Sequence, residues 1–281
     1  MSLEDLVVSM NRLGIGYTVL ESGAEGAVLV LPEYGRVLGV WPHWRGENAL
    51  WVNPEFLRLL EIGAKDDGWS NPGGDRIWLG PREEFFPAEA VPPSVDPGKY
   101  EGASEKGIFS MENRGDVRAW KSDMILGFHV LRRIRPLGEE EISELWGTRW
   151  LRQAGYTEET TLEVSREIPP SVWLWNLTQI RGRGELLRGK ASPAGGTFIG
   201  IEERDDGRGQ LLVKSFRAAS AGPGSRLASD AVREIACASP PAGGRDSRRV
   251  LLRTILCAFS GRVTELRAAA LRIASLPPLP A

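Results

Sequence analysis

The sequence predicts a mostly β protein, a large antiparallel β-sandwich with few short helices. Short apolar segments recur along the chain, and glycine or proline bounds most of them. Their spacing suits antiparallel strands joined by short turns. The chain has 281 residues, of which 42% are hydrophobic, so it can bury a substantial core. We therefore predict a single domain over residues 1–281.

Three segments carry helix signals. Ser2 can cap an N-terminal helix within residues 1–14, because Asp5 follows it by three positions and glycines end the apolar pattern. Apolar residues at helical spacing favour a short helix over 139–150 and a final helix over 263–274.

The remaining periodic segments are strand candidates. They cover residues 26–31, 36–41, 49–53, 106–112, 117–122, 124–134, 160–168, 171–178, 197–201, 211–216, 231–238 and 250–259. Residues 66–97 are rich in glycine and proline and are predicted to be mostly loop, which at this length is usually functional or disordered. Residues 218–230 are small and polar, and we predict a mobile loop there.

Composition argues against several functional classes. A net charge of -2 gives no electrostatic footprint for nucleic acid or for an anionic membrane, and the arginines of 245–253 are interpreted as a solvated strand end. No apolar run approaches the roughly 20 residues of a membrane span, and the first 20 residues lack a signal peptide pattern. Cys237 and Cys257 are predicted to be free, buried thiols. We expect a cytoplasmic protein, while its oligomeric state stays open.

Standard cofactor motifs are absent from the sequence. It contains no phosphate-binding glycine loop and no cysteine pair at metal-ligand spacing, so we predict no cofactor and no metal. Only two histidines occur. His129 lies in an apolar strand and is interpreted as structural, whereas His43 lies in a Trp-Pro-His-Trp loop and is the better site candidate.

Tryptophan is the more informative residue type. There are ten, and Trp41, Trp44, Trp51 and Trp69 fall near the predicted loop surface. A flat aromatic face beside polar groups suits a sugar ring, which has apolar C–H edges and hydroxyls that need hydrogen bonds. The alternative interpretation is that most of these side chains fill the sandwich core.

The most specific motif is Asn-Pro-Gly-Gly-Asp-Arg-Ile-Trp-Leu-Gly-Pro at 71–81. Asp75 offers a hydrogen-bond acceptor, Arg76 a planar fork of five donors, and Trp78 an aromatic platform. We predict that this segment forms one wall of a sugar-binding cleft, with Trp41, His43 and Trp44 near it. The sequence equally allows an Asp–Arg pair that only pins a long loop.

The Gly-Gly-Asp-Arg-x-Trp-x-Gly-Pro segment at 73–81 resembles the signature of an uncharacterised bacterial family with a galactose-mutarotase-like fold. Residues 46–54 and 173–179 resemble the same family. This resemblance implies a β-supersandwich with a concave face where relatives bind or isomerise sugars. Aldose 1-epimerases of the superfamily use a histidine acid and a glutamate base. By this resemblance Glu234 matches the base, but the strand expected to carry the histidine has Asn176 instead.

Three functional hypotheses follow. The first is a carbohydrate-binding domain that lacks standard epimerase chemistry and uses Asn176 among its binding residues. The second is an epimerase-like or lyase-like enzyme that uses Glu234 with His43, or with Asp75 and Arg76. The third is a structural or regulatory domain that binds a protein. Convergence of His43, Arg76 and Glu234 on one cavity favours the enzyme, and an aromatic cavity without paired acid and base favours binding.

Overall fold

The computed structural model describes residues 2–62, 71–86, 90–166, 172–181, 185–192, 195–217, 224–229, 232–239 and 248–276. Within them, fifteen strands form two antiparallel sheets, and five helices accompany them. The predicted mostly β sandwich is therefore confirmed. Trp69 and Arg245, which the sequence analysis singled out, lie outside the described residues.

The helices are α1 (Leu3–Leu13), α2 (Pro54–Glu61), α3 (Arg82–Phe85), α4 (Glu139–Trp146) and α5 (Val263–Ser275). The strands are β1 (Thr18–Ser22), β2 (Gly26–Leu31), β3 (Arg36–Trp41), β4 (Asp75–Gly80), β5 (Glu101–Glu105), β6 (Ile108–Ala119), β7 (Met124–Pro136), β8 (Arg152–Val164), β9 (Trp173–Arg181), β10 (Glu185–Ser192), β11 (Gly195–Glu203), β12 (Arg208–Arg217), β13 (Gly224–Ser229), β14 (Val232–Ala238) and β15 (Arg249–Arg262).

The two sheets form the layers of the sandwich. The first sheet has the order β1-β2-β3-β4-β9-β14-β13, and the second has the order β10-β11-β12-β15-β8-β7-β6-β5. The main core lies between their inner faces and includes Val37, Ile77 and Leu174 of the first sheet with Leu162 and Leu256 of the second. Burial of these apolar side chains is the main force that holds the layers together.

Helices cover parts of both outer faces. Leu6 and Met10 of α1 and Phe56 of α2 pack with Leu29 and Trp41 on the outer face of the first sheet. Side chains of α4 and α5 pack in the same way on the outer face of β11, β12 and β15. The helices thus bury apolar surface that the strands would otherwise expose.

The three predicted helices are present, although α4 ends at Trp146 rather than at 150. Two helices were missed, α2 and α3. Residues 49–53, predicted as a strand, form only one bridge, between Val52 and Gly73. The predicted strands 106–112 and 117–122 are one continuous strand, β6.

Two loop predictions are wrong in part. Residues 66–97 contain β4 and α3, and residues 218–230 contain β13. β4 pairs with β9 along all six of its residues, and β13 pairs with β14. The partner of β4 is far away in sequence, whereas β13 forms a hairpin with the next strand, and local composition reveals neither pairing. None of the helices in the described part of the chain is long and apolar enough to cross a membrane.

Candidate functional site

β4 carries the central motif and presents its side chains to both faces of the first sheet. Asp75 pairs with Thr178 of β9, and Trp78 pairs with Trp175. Because side chains alternate along a strand, Asp75 points to the inner face, and Arg76 and Trp78 point to the outer face. The Asp–Arg pair of the motif is therefore split between two environments.

The two glycines before β4 fix its position. Gly73 and Gly74 have φ values of 97° and 74°, a region that favours glycine. The Gly74 N–H donates to the carbonyl of Trp51 at 2.8 Å, and its carbonyl accepts from the Gln179 N–H at 2.9 Å. A Cβ atom at Gly74 would lie 2.3 Å from the Val37 carbonyl oxygen. Only glycine fits where three segments of backbone meet so closely.

A buried ion pair crosses the outer face between β4 and β14. The Arg76 guanidinium donates to Glu234 Oε1 at 2.8 Å, and both residues are almost fully buried, with 3% and 2% exposure. Gln179 of β9, which lies between them in the sheet, donates to the same oxygen at 3.2 Å. Asn71 accepts from Arg76 at 3.2 Å. Charge-assisted hydrogen bonds thus hold the Glu234 carboxylate in place.

Aromatic side chains surround this ion pair on the outer face. The Arg76 guanidinium lies 4.5 Å from the centre of the Trp78 ring, a cation–π contact. The Trp78 ring meets Trp175 edge-on at 6.1 Å and stacks on Phe86 at 4.7 Å. Trp173 lies over Gly80, the residue opposite it in the sheet. Trp78 is buried, whereas Trp173 and Trp175 are partly exposed.

Asp96 and Arg36 anchor Trp78. The indole N–H of Trp78 donates to Asp96 at 2.7 Å, and Arg36 donates to both Asp96 oxygens at 2.7 and 2.9 Å. Burial lowers the pKa of Arg36 to about 10 against the opposing effect of Asp96, so Arg36 is still a cation at neutral pH. This contact fixes the orientation of the Trp78 ring.

A second polar network lies on the inner face, between the sheets. Asp75 accepts hydrogen bonds from Lys214, Arg132 and Asn176, each at 2.8 Å, and from Thr178 at 2.5 Å. Burial alone would raise the pKa of Asp75, but the two cations outweigh it and lower the pKa.

The inner network is closed and electrically balanced. Arg132 also donates to Glu158 at 2.7 Å, so two cations face two carboxylates. Asp75, Lys214 and Arg132 are fully buried. Asp75 and Asn176 therefore lie on the inner face of the first sheet, whereas Arg76 and Glu234 lie on its outer face. Asn176 donates to Asp75, so the polar groups of both residues are used within the inner network.

A cavity of about 440 Å³ lies beside the outer face, near Arg181 at the end of β9 and the residues before and within α2. Trp51, Leu57 and Arg181 are among its lining residues. The Trp51 N–H donates to the carbonyl of Gln179 at 2.9 Å, so this cavity adjoins the ion pair through Gln179. The buried Gln179 Oε1 has no hydrogen-bond partner within the described part of the chain. An unsatisfied buried acceptor marks a place where a hydroxyl donor would be favourable.

His43, Trp41 and Trp44 lie in other settings. His43 lines a different cavity, where its Nε2 is 3.4 Å from Glu25. Trp41 is fully buried beneath α1 and α2, and Trp44 is exposed with the Arg45 guanidinium 4.4 Å from its ring centre. The structure thus brings Arg76, Trp78 and Glu234 together and leaves these three residues apart from them.

Sequence reasoning missed Gln179, Asp96, Lys214 and Arg132. Alternation along β9 is the signal that points to Gln179, since it shares a face with Trp175 and Trp173. In the described residues, no group of three or more histidine, cysteine or acidic side chains is placed to hold a metal ion.

Comparison with known proteins gives structural likeness only. No protein-family model and no curated protein matches the sequence. The chain is similar to a galactose mutarotase related enzyme from Lactobacillus acidophilus, with 8% identity and a TM-score of 0.45 over 88% of this chain and 97% of that one. It is also similar to the Slr1438 protein from Synechocystis sp. PCC 6803, with 10% identity and a TM-score of 0.44 over 88% and 96%. A galactose mutarotase-like protein from Lactobacillus casei has 8% identity and a TM-score of 0.43 over 87% and 99%.

Proposed function

We propose that the protein binds a small-molecule carbohydrate on the outer face of β4, β9 and β14, without standard epimerase chemistry. One observation carries the proposal: three adjacent strands place Trp78, Trp173 and Trp175 on the same face as the Arg76–Glu234 ion pair. Aromatic rings beside fixed polar groups are the combination that a sugar requires.

Each part of this face has a role in the proposal. Trp173 and Trp175 are partly exposed, so an apolar face of a sugar ring can stack on them. Gln179, Arg76 and Glu234 lie on the same face of the sheet, and in the proposal they supply acceptors and donors for the hydroxyl groups of the sugar. Because Arg76 and Glu234 already bond to each other, a ligand adds to a preformed arrangement and loses little to ordering.

The surroundings of Glu234 favour binding over catalysis. Opening a sugar ring needs an acid and a base on opposite sides of the sugar. Glu234 matches the base, but its Oε1 accepts hydrogen bonds from the permanently charged Arg76 and from the Gln179 amide. His43 lines another cavity, and Asp75 points to the inner face. These positions support a binding domain in which the epimerase acid is missing.

The state of the cysteines supports a reducing, cytoplasmic setting as part of the proposal. Cys237 and Cys257 are free thiols, and both are buried. Burial raises the pKa of each thiol to about 12, so neither is a reactive thiolate at neutral pH. Thiol counting under denaturing, non-reducing conditions should return two per chain.

A thermal-shift screen against monosaccharides and uronic acids identifies the ligand. A ligand at a hundredfold excess over its Kd should raise the free energy of unfolding by about 2.7 kcal/mol. Failure of every sugar in the panel to stabilise the protein would argue against the proposal.

Substitution of Trp175 then locates the site. Trp175→Ala should weaken binding of the identified sugar at least about 5-fold in calorimetric titration, because an aromatic contact contributes about 1 kcal/mol in addition to the effect of the apolar area that it buries. Trp120→Ala is the matched control, since Trp120 is 46% exposed, follows β6 at the end of the second sheet, and has the Arg118 guanidinium 4.4 Å from its ring centre. Unchanged affinity in folded Trp175→Ala and Trp173→Ala variants would place the sugar elsewhere.

A further inference from the structure

A second cavity, of about 560 Å³, lies at one end of the sandwich. Its walls come from the start of α1, the segment after β3, and the ends of β8, β12 and β15. Gln210 of β12 lies opposite Ser260 of β15, and Ser260 lies opposite Arg152 of β8. These three residues form a row across neighbouring strands, on the inner face where the core ends. Among the described residues, Glu47 alone lines both this cavity and the 440 Å³ cavity.

Arginine dominates the charge of this cavity. Four arginines line it, against the carboxylates of Asp5 and Glu47, and His43 lies beside them. The arginines are Arg45, Arg152, Arg204 and Arg208. The positive excess predicts an anionic ligand.

The carboxylates in the wall already have partners. Glu47 pairs with Arg204 at 3.2 Å and with Arg181 at 2.9 Å. Asp5 accepts from the backbone N–H of Ser2 at 3.1 Å, as the partner of the N-cap Ser2 in the capping box of α1. The α1 N-terminus is therefore neutralised and contributes little to an anion site.

The remaining arginines are available to a ligand. Within the described residues, neither the Arg45 nor the Arg208 guanidinium forms an ion pair. Arg45 stacks on Trp44, and Arg152 approaches Glu25 only to 4.0 Å, in a half-exposed pair. Guanidinium groups bind phosphate oxygens with two parallel hydrogen bonds, which suits a cluster of this kind.

Gln210 adds an independent observation. It is 5% exposed, and its amide donates to the Glu47 carbonyl at 2.7 Å. Its Oε1 is buried and has no hydrogen-bond partner in the described part of the chain. Gln210 also lines a neighbouring cavity beside Ile180 and Leu212, and a hydroxyl donor that reaches its Oε1 from the 560 Å³ cavity would satisfy it.

From these observations we propose that the cavity binds a small hydroxylated molecule through its phosphate group. Arg152 and Arg208 would hold the phosphate, and Gln210 would accept from a hydroxyl. The volume falls within the range of about 300–1,000 Å³ for small-molecule sites, so it has room for more than a phosphate ion. This site is separate from the outer face and does not depend on the sugar proposal.

Calorimetric titration of the full chain with glucose 6-phosphate, inorganic phosphate and glucose tests the proposal. Glucose 6-phosphate should bind saturably, one per chain, and more tightly than inorganic phosphate. Arg208→Gln and Arg152→Gln should each lower its affinity about 10-fold, the effect of losing a hydrogen bond to a charged group. Asp5→Asn should raise the affinity, because it removes a negative charge from the wall.

Arg253→Gln is the matched control. Arg253 is an exposed arginine on β15 that pairs with Glu159, outside the cavity, so its loss changes the net charge equally. The affinity of the Arg253→Gln variant for glucose 6-phosphate should match that of the unmodified chain. Trp175→Ala should also leave this affinity unchanged, which separates the cavity from the outer face. Absence of saturable binding, equal loss in Arg253→Gln and Arg208→Gln, or binding of glucose 6-phosphate no tighter than inorganic phosphate would overturn the proposal.

Discussion

Replacement of Lys214 by methionine is the sharpest test of the buried network between the sheets. Lys214 donates to Asp75 at 2.8 Å and also contacts Asn176 and Thr178. Lys214 and Asp75 are both fully buried. Methionine keeps a similar length and apolar stem but removes the charge, so the Asp75 carboxylate loses one of its two cations while Arg132 remains.

The size of the effect follows from this geometry. At 2.8 Å and an effective dielectric constant of about 20, the pair attracts by about 6 kcal/mol. Removing the ammonium also removes the free-energy cost of burying that charge away from water. We therefore expect a net loss of about 3–5 kcal/mol in the free energy of unfolding at pH 7. That is a large part of the roughly 5–15 kcal/mol that stabilises a typical domain.

The stability difference between the Lys214→Met variant and the unmodified protein should depend on pH. In the intact network the pKa of Asp75 lies below 3.8, so its contribution to stability is present above pH 3.8 and is lost as the pH falls through the lowered pKa. Without Lys214, burial should raise the pKa of Asp75. Protonation of Asp75 in the variant should then remove the cost of a buried carboxylate that has lost one of its cations. The difference in stability between variant and unmodified protein should therefore shrink from pH 7 to pH 5.

Urea unfolding at both pH values measures this difference. Lys121→Met is the control, because Lys121 is exposed and its replacement should change stability by less than about 0.5 kcal/mol. A loss below about 1 kcal/mol in Lys214→Met, or an equal loss at pH 5 and pH 7, would refute the reasoning.

Two further predictions concern stability. Burial raises the pKa of Cys237, Cys257 and Tyr100 to about 12, so the folded protein keeps protons that the unfolded chain releases, and stability should fall as the pH rises above 9. Cys257→Ala should reduce the slope of stability against pH above pH 9 by up to about 1.4 kcal/mol per pH unit in urea unfolding. An unchanged slope would contradict the raised pKa of the Cys257 thiol. Gly74→Ala should lower the free energy of unfolding by about 3 kcal/mol, because its Cβ would clash with a backbone carbonyl in addition to the strain of positive φ. Gly107→Ala has a similar φ of 77° with open space around it and should lose only about 1 kcal/mol; equal losses would show that the close approach is unimportant.

The sequence predicted the fold class and most strands because the apolar alternation of the long strands is local. It failed at β4, where Asp75 and Arg76 have weak strand propensity and only pairing with β9 makes the segment extended. Once β4 is a strand, neighbouring residues must point to opposite faces. That is why Asp75, predicted beside Arg76, belongs to the interior.

The residues of the candidate site were brought together by sequence reasoning only in part, for a similar reason. Arg76, Trp78 and Glu234 were singled out and lie together, but their meeting depends on the order β4-β9-β14, which no local pattern encodes. Lys214 escaped notice because a lysine within the apolar segment 211–216 gives no sign of a buried carboxylate partner. The composition of its loop predicted that His43 lies near the motif. In the structure, the chain after β3 leads instead to the arginine-lined cavity of about 560 Å³, which His43 lines.

A crystal structure of the protein with the sugar from the screen tests the central claim most directly. We predict density for a sugar ring packed about 4 Å from the face of Trp173 or Trp175, with a hydroxyl about 3 Å from Gln179, Arg76 or Glu234. A sugar bound at full occupancy away from these strands, with the outer face unchanged, would contradict the account.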